Sequence, residues 1–320
     1  MDRSRSIGFV EAAVSSASFG LIPLFTLPVL SAGMPMPSLL VYRYIVACVI
    51  MLAILAMQRT RLRIRYGEML RIAWLALLYD GSAVFLFSGY AYLPSGVATA
   101  LLFTYPIWTS LAETLVFHER ASWATAVAII LAVTGVGLLS GLFTYLFGGT
   151  AHTLSLYNIL MGLCMEFISA LSYAFYMVSM HHMKVRKMGS LKLTFWVFFF
   201  GMLILALWCY FTEGRFHPIV SQDPSALSTA GMLFNIFMLG LLPTAISNIS
   251  LTMGIKHIGS TLCAILGAFE PLTAMTIGIL VFHEPFTLTV AVGFLLIVAA
   301  VVLLILVVLI NGLSSLVSRK

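Results

Sequence analysis

The chain has 320 residues, 61% of them hydrophobic and only 9% charged, and its mean hydropathy is +1.08. A soluble chain of this size cannot hide so much apolar surface, since globular proteins carry about 25% charged residues. The net charge of +6 would suit a nucleic-acid binder, but the placement of the basic residues along the chain excludes that class.

Apolar runs of about 20 residues cross a bilayer as helices. In chain order they predict ten spans: Phe9–Ser31, Ser38–Met57, Leu70–Tyr92, Ser95–Phe117, Trp123–Leu142, Tyr157–Met180, Leu191–Phe211, Leu227–Met253, Ser260–Phe282 and Leu288–Ile310. With the N-terminus in the cytoplasm, Arg215 is the one basic residue on the outer side and Arg43 lies inside a span. The rest of the 17 Lys and Arg fall on the cytoplasmic side. That asymmetry is the positive-inside pattern, and it predicts an even number of spans with both termini cytoplasmic. The first span follows Arg3 and Arg5, yet its apolar run is too long for a signal peptide and lacks an A-x-A site, so it is expected to stay as a helix. Gln58–Arg71 is the strongest basic run and is expected to rest on anionic headgroups. Asn248-Ile249-Ser250 matches a glycosylation sequon but falls inside a span. Cys48, Cys164, Cys209 and Cys263 lie in apolar spans without CxxC spacing. They read as small buried residues, not as a disulfide framework or metal site.

Two stretches of the chain are related. Gly89–Leu139 aligns without gaps on Gly254–Leu304 at a shift of 165 residues. Ser95 falls on Ser260, Leu101 on Leu266 and Pro106 on Pro271, and Leu115–Glu119 and Leu280–Glu284 are identical. A shift of 154 likewise places Gly8, Ser15 and Ser18 on Gly162, Ser169 and Ser172. The halves are residues 1–148 and 149–320, with five spans each. Because five is odd, the second half must run upside down relative to the first. The expected fold is an all-α membrane protein of ten transmembrane helices in two inverted five-helix repeats.

Each half holds a Pro/Ser start, an apolar helix with a central Pro, a Phe-His-Glu end, a Ser or Thr cap and a Gly-containing helix. The residues are Ser95, Pro106, Phe117-His118-Glu119, Ser122 and Gly135, then Ser260, Glu270-Pro271, Phe282-His283-Glu284, Thr287 and Gly293. With Arg43 in the second span, this resembles the EamA-type members of the drug/metabolite transporter superfamily, over nearly the whole chain. The resemblance implies ten helices, alternating access and a central cavity. It also implies cargo of small metabolites, amino acids or similar, usually exported across the bacterial inner membrane. Ser18-Phe19-Gly20 stands where the family commonly has Trp-Gly, and Asp80 and Glu166 are not general family features.

Ionisable groups inside a bilayer are costly, by about 2.5–3.5 kcal/mol or more at a helix centre, and so are candidates for function. Glu270 is the foremost. It precedes Pro271, which removes a backbone donor and leaves a carbonyl unpaired at a depth where only protein or a wet cavity can serve it. It would meet a substrate amine or carry a coupled proton. The repeat pairs it with Tyr105; Tyr105 and Trp108 either stack on substrate or pack helices. Glu166 begins a polar face with Ser169, Ser172, Tyr173 and Tyr176, which lines the cavity or bonds neighbouring helices. Asp80 and Asn248 are further substrate-binding candidates, Asp80 being equally readable as a packing group. Pro106 and Pro271 are expected to kink helices. Arg43, Glu119 and Glu284 are expected to be structural, the two glutamates setting turns ahead of Ser122 and Thr287. Glu11 and Glu113 lie near helix ends within reach of water.

The expected function is a secondary transporter with a small-molecule substrate, the lipid bilayer as its solvent, no cofactor and no nucleic-acid partner, as a monomer or homodimer. The alternatives are an intramembrane enzyme or a scaffold. No GxxxxGK[ST] occurs, so no ATP site is encoded. Beside Asp80 the chain has only Asp2 and Asp223, both outside spans, so an aspartyl protease would lack its second carboxylate. Neither His118-Glu119 nor His283-Glu284 has the second His of a metalloprotease.

Overall fold

A computed structural model describes residues 3–117, 123–139, 142–143, 154–183, 188–221, 227–267 and 269–317, which are helical with short turns. The helices are α1 (Arg3–Phe19), α2 (Ile22–Ser31), α3 (Met36–Met57), α4 (Tyr66–Gly89), α5 (Ser95–Leu102), α6 (Tyr105–Phe117), α7 (Trp123–Leu139), α8 (Leu156–His182), α9 (Ser190–Glu213), α10 (Thr229–Gly240), α11 (Ser247–Leu266), α12 (Phe269–Leu280) and α13 (Leu288–Val317). A single π turn, Leu241–Ile246, joins α10 to α11. Among the described residues, six segments are long and apolar enough to cross a membrane: Ser6–Ser31, Met36–Met57, Tyr66–Gly89, Leu156–Met180, Ser190–Glu213 and Thr229–Gly254. Of the other expected spans, the fourth and ninth are each divided between two helices, the fifth is the 17-residue α7, and the tenth lies in the 30-residue α13.

Proline explains where they break. It lacks an N–H and its ring crowds the carbonyl four residues earlier. Pro106 bars helix at Leu102, where α5 ends, and Pro271 does the same at Gly267, one residue past α11. Both prolines therefore stand in the first turn of a new helix instead of kinking a continuous one. Another expected boundary is absent: the connection between spans eight and nine is helical, inside α11. In the first half the same place is the turn at residues 90–94. Pro94 ends that turn and pushes Leu93 out of helical geometry, whereas the aligned residue of the second half is Gly259.

The helix ends are fixed locally. Ser155 accepts from Asn158 N at 3.2 Å and Ser228 from Gly231 N at 3.1 Å, capping α8 and α10. Gly214 closes α9 in the left-handed region at φ 68°. Glu68 reaches back to Arg65 N at 2.8 Å. The basic loop before α4 is pinned to α9, because Lys192 donates to Arg63 O at 2.7 Å and the Trp196 indole to Leu62 O at 3.1 Å.

Packing brings distant stretches together. α1 lies along α11 and α4 along α8; α3 packs on α9, α5 on α12 and α7 on α13. Three close approaches among these elements need small residues. A side chain on Gly8 would meet His257 and Ile258, and one on Gly162 would meet Leu93. At the α7–α13 crossing, Gly135 faces Gly293, with Ala128 and Ala300 fully buried beside them. The largest apolar core lies among α2, α3, α4, α9 and α10, and a second joins α5, α7, α12 and α13. Cys48 and Cys209 are buried as expected, but Cys164 sits on an exposed face of α8.

Glu284 does more than set a local turn. Its carboxylate crosses to the other half and accepts from Ser95 N and Ser95 Oγ, each at 2.6 Å, and from Gly96 N at 3.1 Å. It thus caps α5 from a place where Gly96 and Gly278 leave it room. Glu284→Gln turns an amide toward one of these N–H groups. It is expected to cost about 2 kcal/mol, read as a lower thermal midpoint in detergent than that of Glu213→Gln at an exposed helix end. Glu119, its counterpart in the first half, lies outside the described residues, as does Ser122.

Candidate functional site

The breaks in the chain converge. Gly20, between α1 and α2, is pressed against the backbone oxygen of Glu270 and the side chain of Thr273, with no space for a Cβ. Glu270 stands in the first turn of α12, where the helix dipole favours a carboxylate by about 0.3–1 kcal/mol. It is buried, and its Oε1 has no hydrogen-bond partner. Tyr79, Tyr90, Tyr105 and Tyr173 lie within its electrostatic reach.

Three of these, Tyr79, Tyr105 and Tyr173, belong to one continuous patch. Tyr105 meets Tyr173 edge-on at 4.7 Å between centroids, Tyr173 stacks on Tyr176 at 5.7 Å, and Tyr79 meets Tyr176 at 5.3 Å. Tyr44 lies 6.5 Å from Tyr79. The patch joins α3, α4, α6 and α8.

Arg43 is 1% exposed and supplies the buried cation of this centre. Its Nε donates to Thr244 Oγ1 at 2.6 Å, and its guanidinium lies 5.6 Å from the Phe87 ring and 5.9 Å from that of Tyr44. Thr244 in turn donates to Leu239 O at 2.8 Å. That carbonyl is the one Pro243 deprives of its N–H, so the threonine repairs the π turn and Arg43 braces the repair. Asn248 donates to Thr244 O at 2.8 Å, so its amide serves the same turn. π turns inside α-helices often mark functional places.

Asp80 is 3% exposed, and its nearest polar side chain is Tyr44. It lies against Gly201 of α9 and the Tyr44 ring, within electrostatic reach of Arg43. Ser169 bonds across helices, donating to Ser82 O at 2.8 Å. Glu11, expected near a helix end within reach of water, pairs with His257 Nδ1 at 2.6 Å, joining α1 to α11. The side chain of Glu113 is outside the described residues.

The structure therefore gathers Glu270, Tyr105, Tyr173, Asp80, Asn248 and Arg43 around one centre. Trp108 and Glu166 line a different cavity, between α6, α7 and α8. Tyr44, Phe87 and Tyr90 belong to the centre but carried no signal in the sequence, where they read as ordinary apolar-span residues. The space enclosed by Arg43, Tyr79, Ser82 and Tyr173 is only about 10 Å³, room for about one water molecule. A metabolite enters only if the helices around it separate. The described residues hold no cluster of three or more His, Cys, Asp or Glu suited to a metal.

The EamA-like transporter family matches residues 6–141 and 160–306. The uncharacterized transporter sll1319 of Synechocystis sp. (strain ATCC 27184 / PCC 6803 / Kazusa) is 28% identical over 220 residues, which are 69% of this chain and 60% of that protein. The chain thus spans less than two thirds of the length of that curated relative. A solved crystal structure, 16% identical, matches 94% of this chain and 97% of its own with a TM-score of 0.65, a likeness of fold alone. With two family matches covering most of its length, the chain belongs to the EamA-like transporter family.

Proposed function

We propose that the protein is a ten-span secondary transporter. Its five-helix repeats, residues 1–148 and 149–320, are inverted and move a small metabolite, an amino acid or similar, by alternating access. On this reading it is an exporter of the cell inner membrane with both termini cytoplasmic, working as a monomer or homodimer, and a proton exchanged at a buried carboxylate drives it.

The observation that carries the reading is the symmetry of the packing. Exchanging the repeats turns the α1–α11 contact into the α8–α4 contact. It turns the Gly8–Ile258 approach into the Gly162–Leu93 approach, and it leaves α3–α9 and α7–α13 paired with themselves. A two-fold axis through the centre would produce this. Broken helices around unpartnered ionisable groups near such an axis are how inverted-repeat carriers build their sites. Glu270, Asp80 and Asn248 are then the polar contacts for cargo, with Tyr105 and Tyr173 as the aromatic wall. Glu284 on Ser95 closes the outer side.

Two experiments test this. Single cysteines at positions 118 and 283, in a background freed of the native cysteines, are expected to label from opposite faces of the membrane. Labelling from the same face removes the inverted architecture. A resistance and efflux screen of overproducing cells against amino acids, nucleosides and toxic cations is expected to return a small metabolite whose efflux rises. An unchanged profile across all classes rejects the exporter.

A further inference from the structure

The basic stretch between α3 and α4 is a built surface. Residues 60–65 form neither helix nor turn, and their exposure alternates strictly: Thr60, Leu62 and Ile64 are partly buried, while Arg61, Arg63 and Arg65 are exposed. That period of two belongs to an extended chain, and Arg65 itself has extended angles, φ −89° and ψ 154°. Leu62 and Ile64 pack on two different apolar clusters. The backbone between them is clamped by α9, whose Trp196 indole donates to Leu62 O and whose Lys192 donates to Arg63 O. Three guanidinium groups therefore leave one face of a fixed backbone at intervals of about 7 Å. Arg59, at φ 50° in the turn that closes α3, stands outside this register.

Among the described residues none of the three arginines forms an ion pair. Glu68 is the one carboxylate between residues 12 and 79, and it is turned to Arg65 N at 2.8 Å. No Asp or Glu occurs between residues 167 and 212, the stretch that leads into α9 and carries Lys192.

Lipid adjoins this row of charges. Tyr66, Leu70 and Trp74 follow at one-turn spacing on α4 and are 74%, 57% and 47% exposed, and Met57 at the end of α3 is 84% exposed. In a chain of membrane helices, an exposed apolar stripe with two amphipathic aromatic rings marks the water boundary of the bilayer. The arginines thus sit at headgroup depth. A soluble polyanion would use the charges and leave the stripe without a partner. A guanidinium fork pairs with phosphate through two hydrogen bonds. Single-phosphate lipids fill neighbouring arginines only one by one, against their mutual repulsion. A headgroup with two linked phosphates brings the second at high effective concentration.

We propose that Arg61, Arg63 and Arg65 form a docking comb for the headgroup of an anionic phospholipid that carries two phosphates, such as diphosphatidylglycerol. A mobile basic run responds to charge alone; a comb held in register also selects for phosphate spacing. The site is independent of the Glu270 centre and of transport.

Native mass spectrometry of the purified full chain, titrated in detergent with each lipid, reads the affinities. Diphosphatidylglycerol is expected to bind at least about tenfold more tightly, per phosphate, than phosphatidylglycerol. Arg63→Gln removes the central tooth, leaves Arg61 and Arg65 about 13 Å apart, and is expected to abolish most of that preference. Arg71→Gln deletes the same charge from α4, off the comb, and is expected to keep it. Equal affinity for the two lipids, which needs only the wild-type protein, overturns the proposal. So does a preference that survives Arg63→Gln, or one lost equally in Arg71→Gln, as bulk charge would give. Inorganic phosphate displacing the lipid at comparable concentration assigns the comb to soluble anions and overturns the lipid site.

Discussion

Glu270→Gln is expected to slow efflux of the metabolite identified by the screen at least tenfold, at equal abundance in the membrane, a change of about 1.4 kcal/mol or more in barrier. The substitution keeps the size and shape of the side chain, so packing against Gly20 and the α12 turn is preserved. What it removes is the group able to meet a cation or exchange a proton within electrostatic reach of four tyrosines. Since Oε1 has no protein partner, the amide should fold as well as the acid, and the thermal midpoint should stay close to wild type. Unchanged efflux in a variant of wild-type abundance takes Glu270 out of the mechanism. A lost fold instead shows that its place is structural.

The second large effect belongs to the α7–α13 crossing. A Cβ on Gly135 would lie 2.8 Å from Gly293 O and 3.1 Å from Ile297 N; one on Gly293 would lie 2.7 Å from Leu139 N. The obstacles are backbone atoms, so no change of rotamer relieves them. Gly135→Leu is expected to cost about 3 kcal/mol and to lower both the thermal midpoint and the yield of monodisperse protein. Ile130→Leu, one helix turn away on the exposed face, is expected to change neither. A normal midpoint for Gly135→Leu means that the two helices do not approach so closely. If the crossing moves during transport, milder substitution by Ala should reduce flux before it reduces stability.

Much of this architecture was legible in the sequence because lipid leaves few choices. Apolar length, the one-sided placement of basic residues and the repeated Phe-His-Glu ends follow from local chemistry alone. The breaks before Pro106 and Pro271 were legible for the same reason, though as kinks and not as fresh helix starts. The helix across Gly254–Gly259 was missed because a repeat alignment transfers a turn without asking whether its proline came along. Pro94 has no counterpart in the second half. Ser169 and Asn248 show the limit on the site side: each could face a cavity or tie a helix by its sequence, and contacts with Ser82 and Thr244 bind them to backbone. The reach of Glu284 across to Ser95 joins residues 189 positions apart, which no local pattern reports.

By itself the sequence determined that this chain lives in a bilayer, that it is written twice, and that Glu270, Asp80, Glu166 and Arg43 are buried charges in need of a reason. Those features are set by hydrophobicity and by the cost of a charge in lipid, both properties of residues taken one at a time. Only the tertiary structure decided that Glu270, Asp80 and Arg43 share a tyrosine-walled centre while Glu166 and Trp108 line a separate cavity. Which faces of packed helices meet depends on small residues at crossings such as Gly8 on Ile258 and Gly135 on Gly293. That is a property of pairs far apart in the chain.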